Sequence, residues 1–166
     1  ATGSWTPSVT KKLTGRTLKD NEFTFEIKEV YGTNSRATGG YSQTVKNKAD
    51  GTIPFDAISY TLSDVGEHTY TITEKKESLP GVTYDEMTVT YKVKVADKGN
   101  GTLEATVTEV PNDTEFNNTY KATGSWKPSV TKVLTGRELK DNEFEFELKE
   151  NGKVLQTKTN DANGLV

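Results

Sequence analysis

The stretch ATGSWTPSVTKKLTGRTLKDNEFTFEIKE, residues 1–29, returns at 122–150 as ATGSWKPSVTKVLTGRELKDNEFEFELKE, with five of 29 positions changed and a constant offset of 121 residues. A self-match of this length marks a tandem array of similar domains. The sequence therefore divides into one complete repeat, 1–121, and the opening of a second, 122–166. Within the quoted stretch Trp5, Val9, Lys11 and Leu13 alternate with Thr6, Ser8, Thr10 and Lys12, the period of a single strand over 5–13. Residues 14–22 read as a connection. Phe23, Phe25 and Ile27 then alternate with Thr24, Glu26 and Lys28 as a half-buried strand.

Outward from that stretch the same period continues. The segment 31–42 is a glycine-rich hairpin tip, eight residues longer than its counterpart: Glu29 to Gln43 spans 14 steps and Glu150 to Gln156 spans six. The Ala49-Asp50-Gly51 turn, matched by Ala162-Asn163-Gly164, leads into Ile53 and Phe55. Residues 60–74 read as a turn followed by a strand with Tyr70, Ile72 and Glu74 on one face, and Pro80-Gly81 turns again. Met87, Val89, Tyr91, Val93 and Val95 form the strongest alternation, Leu103, Ala105 and Val107 the next, and Phe116, Asn118 and Tyr120 the last. No segment has a helical period. Seven or so short strands at regular spacing predict an all-β, antiparallel sandwich.

Composition narrows the function classes. With 27% charged residues and a net charge of -3, the chain has no basic surplus for nucleic acid or an anionic membrane. No apolar run is long enough to span a bilayer, and this segment contains no signal peptide. One histidine and no cysteine leave no catalytic dyad and no zinc site, so neither a metal nor a cofactor is expected. His68 reads as a solvated turn residue. Asn160–Gly164 resembles half a calcium loop but lacks the closing glutamate, and reads as a hairpin turn. The Asn100, Asn112 and Asn117 sequons are glycosylation signals only in other settings. Leu79-Pro80-Gly81-Val82-Thr83 has the wrong spacing for a sortase signal, and no apolar tail follows it.

Three side chains contradict the faces they occupy. Lys11 lies between Val9 and Leu13, Glu74 follows Tyr70 and Ile72, and Asn118 lies between Phe116 and Tyr120. A buried lysine or glutamate is costly unless paired. Any one of them could be a strand-end irregularity or a snorkelling chain; three on inward faces of three strands point to one another. The second copy separates the adjacent lysines, because Lys11 recurs as Lys132 whereas Lys12 becomes Val133.

VTKKLTG (9–15), YTITE (70–74) followed by LPGVTYD (79–85), and FNN (116–118) resemble, in order and spacing, the repeat domains of Gram-positive major pilins. These in turn are similar to the Ig-like, B-type domains of collagen adhesins. The resemblance covers 1–121 and, through the internal match, the visible part of the second repeat. It implies a self-forming isopeptide bond between Lys11 and Asn118, assisted by Glu74, whose protonated carboxyl would hydrogen-bond the Asn118 carbonyl and polarise it. Asn117 is excluded by alternation, which turns it toward solvent. Lys132 would be a second such lysine, without a partner in this chain. The implied role is a stalk repeat of a secreted adhesin or pilus-like protein attached to the cell wall, with anchor and signal peptide outside this segment. Its partners would be neighbouring repeats of the same polypeptide, and a host ligand would be held by other domains. The bond would form once without turnover, so the repeat is not an enzyme. The rival reading makes the repeat itself a binding module, contacting a host protein or glycan through its surface loops, 31–42 above all. An amide cross-link would also suit a secreted protein without cysteine.

Overall fold

The computed structural model of the chain describes residues 1–32 and 40–166. Ten strands build its larger unit, Ala1–Ala122. They are β1 (Thr2–Trp5), β2 (Thr10–Thr14), β3 (Thr24–Gly32), β4 (Ser42–Lys46) and β5 (Ile58–Thr61). After these come β6 (Gly66–Glu74), β7 (Val82–Thr83), β8 (Thr88–Asp97), β9 (Leu103–Glu109) and β10 (Glu115–Tyr120). One antiparallel sheet runs β4-β3-β6-β8-β9; a second runs β2-β10-β7, and β1 pairs with β5.

The single strand expected over 5–13 is corrected to two, β1 and β2, which pair in different sheets. Buried Pro7 stands at the break, with no N–H to give a ladder and a fixed φ. The alternation nevertheless persists across it: Val9 and Lys11 are buried, and Trp5 and Leu13 half-buried. Two further details depart from the sequence pattern. Ile53 and Phe55 are buried without forming a strand, and Tyr60 and Thr61, where the expected turn begins, instead close the strand Ile58–Thr61. The hairpin tip expected over 31–42 lies partly outside the described residues, at 33–39.

Burial follows the period of two wherever a strand carries a sheet face. Along β8 Val89, Tyr91, Val93 and Val95 are buried, whereas Thr88, Thr90, Lys92 and Lys94 are exposed. One core takes side chains from both layers, including Phe25, Ile27, Tyr70 and Ile72 from the large sheet, Phe116 from the small one and Val9 just ahead of β2. Phe25 and Phe116 meet across it at 5.3 Å between ring centres. Trp5 packs on Tyr70 at 5.3 Å and on Tyr91 at 5.0 Å, and the Tyr91 hydroxyl donates to the Ser8 carbonyl at 2.6 Å. The unit is an all-β, Ig-like sandwich.

The connection ahead of β3 is held by a buried asparagine that the sequence did not single out. Asn47 Oδ1 accepts from the Phe23 N–H at 2.8 Å, and its Nδ2 donates to the Lys19 and Lys48 carbonyls at 2.9 and 3.0 Å. In the smaller unit, Thr123–Val166, Asn160 repeats the arrangement. It accepts from Phe144 N–H at 2.8 Å and donates to Lys140 and Asp161, both at 2.9 Å. Gly51 (φ 92°) and Gly164 (φ 87°) end the matching turns, and a Cβ at either would fall 2.5 or 2.3 Å from the carbonyl of Lys11 or Lys132. Each glycine carbonyl accepts from that lysine's N–H, at 2.8 and 2.7 Å. The turn therefore fixes the lysine strand in both copies. Replacing Asn47 with alanine leaves the buried Phe23 N–H without its acceptor and removes two further hydrogen bonds, at a cost of about 1–3 kcal/mol. Urea denaturation of Asn47→Ala should show that loss, and an unchanged midpoint would contradict the role.

The smaller unit contains β11 (Glu145–Glu150) and β12 (Lys153–Thr159), joined through Asn151 (φ 50°) and Gly152 (φ 81°). Trp126 and Val130 are 80% and 54% exposed there, whereas their counterparts Trp5 and Val9 are covered by the larger unit's other strands.

Candidate functional site

Strand pairing brings β2, near the start of the larger unit, beside its last strand, β10. β2 and β10 run parallel, with Lys11 opposite Phe116 and Leu13 opposite Asn118. Opposite residues share a face, so Lys11 and Asn118 both point into the core, two residues apart along the pair. Glu74 ends β6 opposite Phe25 of β3, in the facing sheet. The three sequence-derived residues therefore reach one place from three strands.

Lys11 Nζ lies 2.7 Å from Glu74 Oε1, and both side chains are fully buried. The same oxygen accepts from Asn118 Nδ2 at 2.9 Å. The lysine contact is close but poorly directed: neither Lys11 Nζ nor Glu74 Oε2 makes a well-aligned hydrogen bond. Aromatic rings close the site, with Nζ 4.5 Å from the centre of Phe23 and 5.9 Å from that of Phe25. Lys12 and Asn117, the immediate neighbours of the two candidates, are exposed.

Burial shifts both ionisable groups toward their neutral forms. Burial pushes the Lys11 ammonium down from its usual range, against the opposing pull of the Glu74 carboxylate. Burial likewise pushes the Glu74 carboxyl up, against Lys11 and the Asn118 amide. A neutral amine beside a neutral acid holds the same number of protons as the ion pair. Moving one proton from Nζ to the carboxyl therefore requires no exchange with solvent. Such a transfer would set a neutral amine and a neutral acid beside a primary amide, in a buried site.

The amide faces its neighbours differently from the sequence-based expectation, which set Glu74 against the Asn118 carbonyl. Glu74 instead contacts the amide nitrogen. The carbonyl oxygen accepts from the backbone N–H of Asp85 at 2.8 Å. No side-chain pattern could announce a backbone donor, although Asp85 closes the LPGVTYD segment. Phe23, as the ring under Nζ, was legible only as a core residue. In the smaller unit Lys132 Nζ lies 4.4 Å from the centre of Phe144, the counterpart of the Lys11–Phe23 contact.

His68 is a correction. It is not a solvated turn residue but a fully buried one on β6, with Nδ1 against Glu29 Oε1. Its Nε2 donates to the Asp64 carbonyl at 2.6 Å. The alternation that puts Tyr70, Ile72 and Glu74 inward also puts His68 inward, so the signal was present.

The sequence model of the FctA family, a Spy0128-like isopeptide containing domain, matches residues 7–121. No curated protein matches the chain. Among solved structures the chain is similar to the major pilin T-13 of Streptococcus pyogenes, with 20% identity, TM-score 0.45, and coverage of 95% of this chain and 70% of that one. It is also similar to another Streptococcus pyogenes major pilin, with 17% identity, TM-score 0.42, and coverage of 96% and 72%.

Proposed function

Because the chain belongs to the family of Spy0128-like isopeptide containing domains, we propose that Lys11 and Asn118 condense spontaneously into an amide that hardens a structural stalk repeat. One observation carries the reading: Lys11 Nζ and Asn118 Nδ2 meet on a single buried oxygen of Glu74. In the reactive state Glu74 holds the proton that Lys11 has given up. The Nζ lone pair attacks Asn118 Cγ, and the C–O π electrons move onto Oδ1. Glu74 passes its proton to Nδ2 and accepts one from Nζ. The C–Nδ2 bond breaks and ammonia leaves. An amide between Nζ and Cγ remains, and the carboxyl returns to its starting state. The dry, aromatic surroundings favour the amide over its hydrolysis. The event happens once per domain.

The bond would join β2, near the start of the repeat, to β10 at its end. Tension entering through β2 and leaving through β10 would pass along covalent bonds and largely bypass the sheet. That suits a repeat in the stalk of a Gram-positive surface adhesin or pilus-like protein on the cell wall. Its immediate partners are neighbouring repeats of the same polypeptide. Thr123–Val166 supplies Lys132 without a matching acid and asparagine from its own strands, so it makes no such bond within this chain.

Proteolysis and tandem mass spectrometry test the assignment. The expected product is one branched peptide joining Lys11 to Asn118, unchanged in position in Lys12→Ala. A branch through Lys12, Asn117 or Lys132 would overturn it.

A further inference from the structure

We propose that Asp85 is a positioning residue for this condensation, presenting its own backbone N–H to the charge that develops on Asn118 Oδ1. The inference rests on the condensation proposed above. Attack on Cγ turns the carbonyl oxygen into an oxyanion, and a buried oxyanion needs a donor already in place. Asp85 N–H is 2.8 Å from that oxygen. Glu74 sits at the opposite end of the same amide, on the nitrogen that must take a proton to leave. The two ends of the amide are thus served by different residues.

The Asp85 side chain explains why this donor stays in place. β7 pairs with β10 at Thr83–Thr119 and Val82–Tyr120. Continuing that register would set Asp85 opposite Asn117, but β7 has ended. The carboxylate takes over the ladder's work. Oδ2 accepts from the Asn117 N–H at 2.9 Å, and Oδ1 accepts from the Met87 N–H at 2.9 Å. The segment between β7 and β8 is therefore clipped to β10 at the residue beside the acceptor. Releasing the clip frees the segment that carries the donor. The carboxylate also acts weakly at a distance: its negative charge opposes the lowering of the Lys11 pKa by burial and adds to the raising of the Glu74 pKa.

Cell-free synthesis of the full chain, sampled over time, quenched in acid and read by intact mass, follows the loss of ammonia directly. Removing one oxyanion donor typically costs about 10²–10³ in rate, and here the donor is displaced but still present. Asp85→Ala should therefore lose ammonia roughly ten- to a hundredfold more slowly than the wild type. Asp85→Asn keeps one acceptor and should fall between the two. Its rate–pH profile should also move to lower pH on both limbs, because the charge that raised Lys11 and Glu74 is gone. A merely structural residue would leave that profile in place. Wild-type kinetics in Asp85→Ala with a native circular dichroism spectrum would overturn the proposal. So would wild-type kinetics in Asp85→Asn, or a rate no faster than that of Asp85→Ala. If Asp85→Ala fails to fold, Asp85→Asn decides alone. A wild-type chain that never loses ammonia overturns the condensation itself, a result distinct from either variant's failure.

Discussion

Lys11→Ala and Asn118→Ala should each retain the ammonia that the wild type loses, and each should melt roughly 15 °C lower. The link would close a loop of about 107 residues, for which the chain-entropy account of cross-links gives about 4–5 kcal/mol at room temperature. A domain of this size shifts by a few degrees for each kcal/mol. The loss is large beside a typical domain stability of about 5–15 kcal/mol. Alanine at either position also changes the buried polar cluster, but the two changes differ. Lys11→Ala leaves Glu74 with Asn118, whereas Asn118→Ala leaves the Lys11–Glu74 pair. A similar fall in both variants points to what they share, the missing link. Calorimetry of both beside the wild type provides the check, and melting points within a few degrees of the wild type would contradict the expectation.

Glu74→Gln has the second-largest expected effect. The substitution keeps the size of the side chain and an oxygen able to accept from Asn118 Nδ2, but it removes the transferable proton. General acid–base assistance is worth about 10²–10⁴ in rate. The purified variant should therefore consist largely of uncondensed chain, with the sandwich intact by circular dichroism. This separates the acid's chemistry from its place in the core. Complete condensation in Glu74→Gln would show that the carboxyl only fills space.

Much of this was legible in the sequence because strand periodicity sets faces. Val9 and Leu13 announce that Lys11 points inward, and Phe116 and Tyr120 do the same for Asn118. The repeat then distinguished Lys11 from Lys12. The parts that were missed depend on tertiary contacts. Pro7 splits a pattern that alternates without interruption, and nothing in the alternation reveals that β1 and β2 belong to different sheets. Asn47 looks like an ordinary turn asparagine until its hydrogen bonds to the distant backbone of Phe23 and Lys19 are seen. His68 was misread as a turn residue although its position in the β6 alternation put it inward. The Asp85 donor is a backbone group, and its clip to Asn117 crosses 32 residues of sequence. Sequence reading found the three side chains that meet in the core. It could not find the backbone that holds them in line.

The most direct test of the whole account is the intact mass of the purified wild-type chain. One complete site and one unpartnered Lys132 predict a mass lower than that of the translated sequence by a single ammonia. A mass equal to the unmodified sequence would contradict the bond.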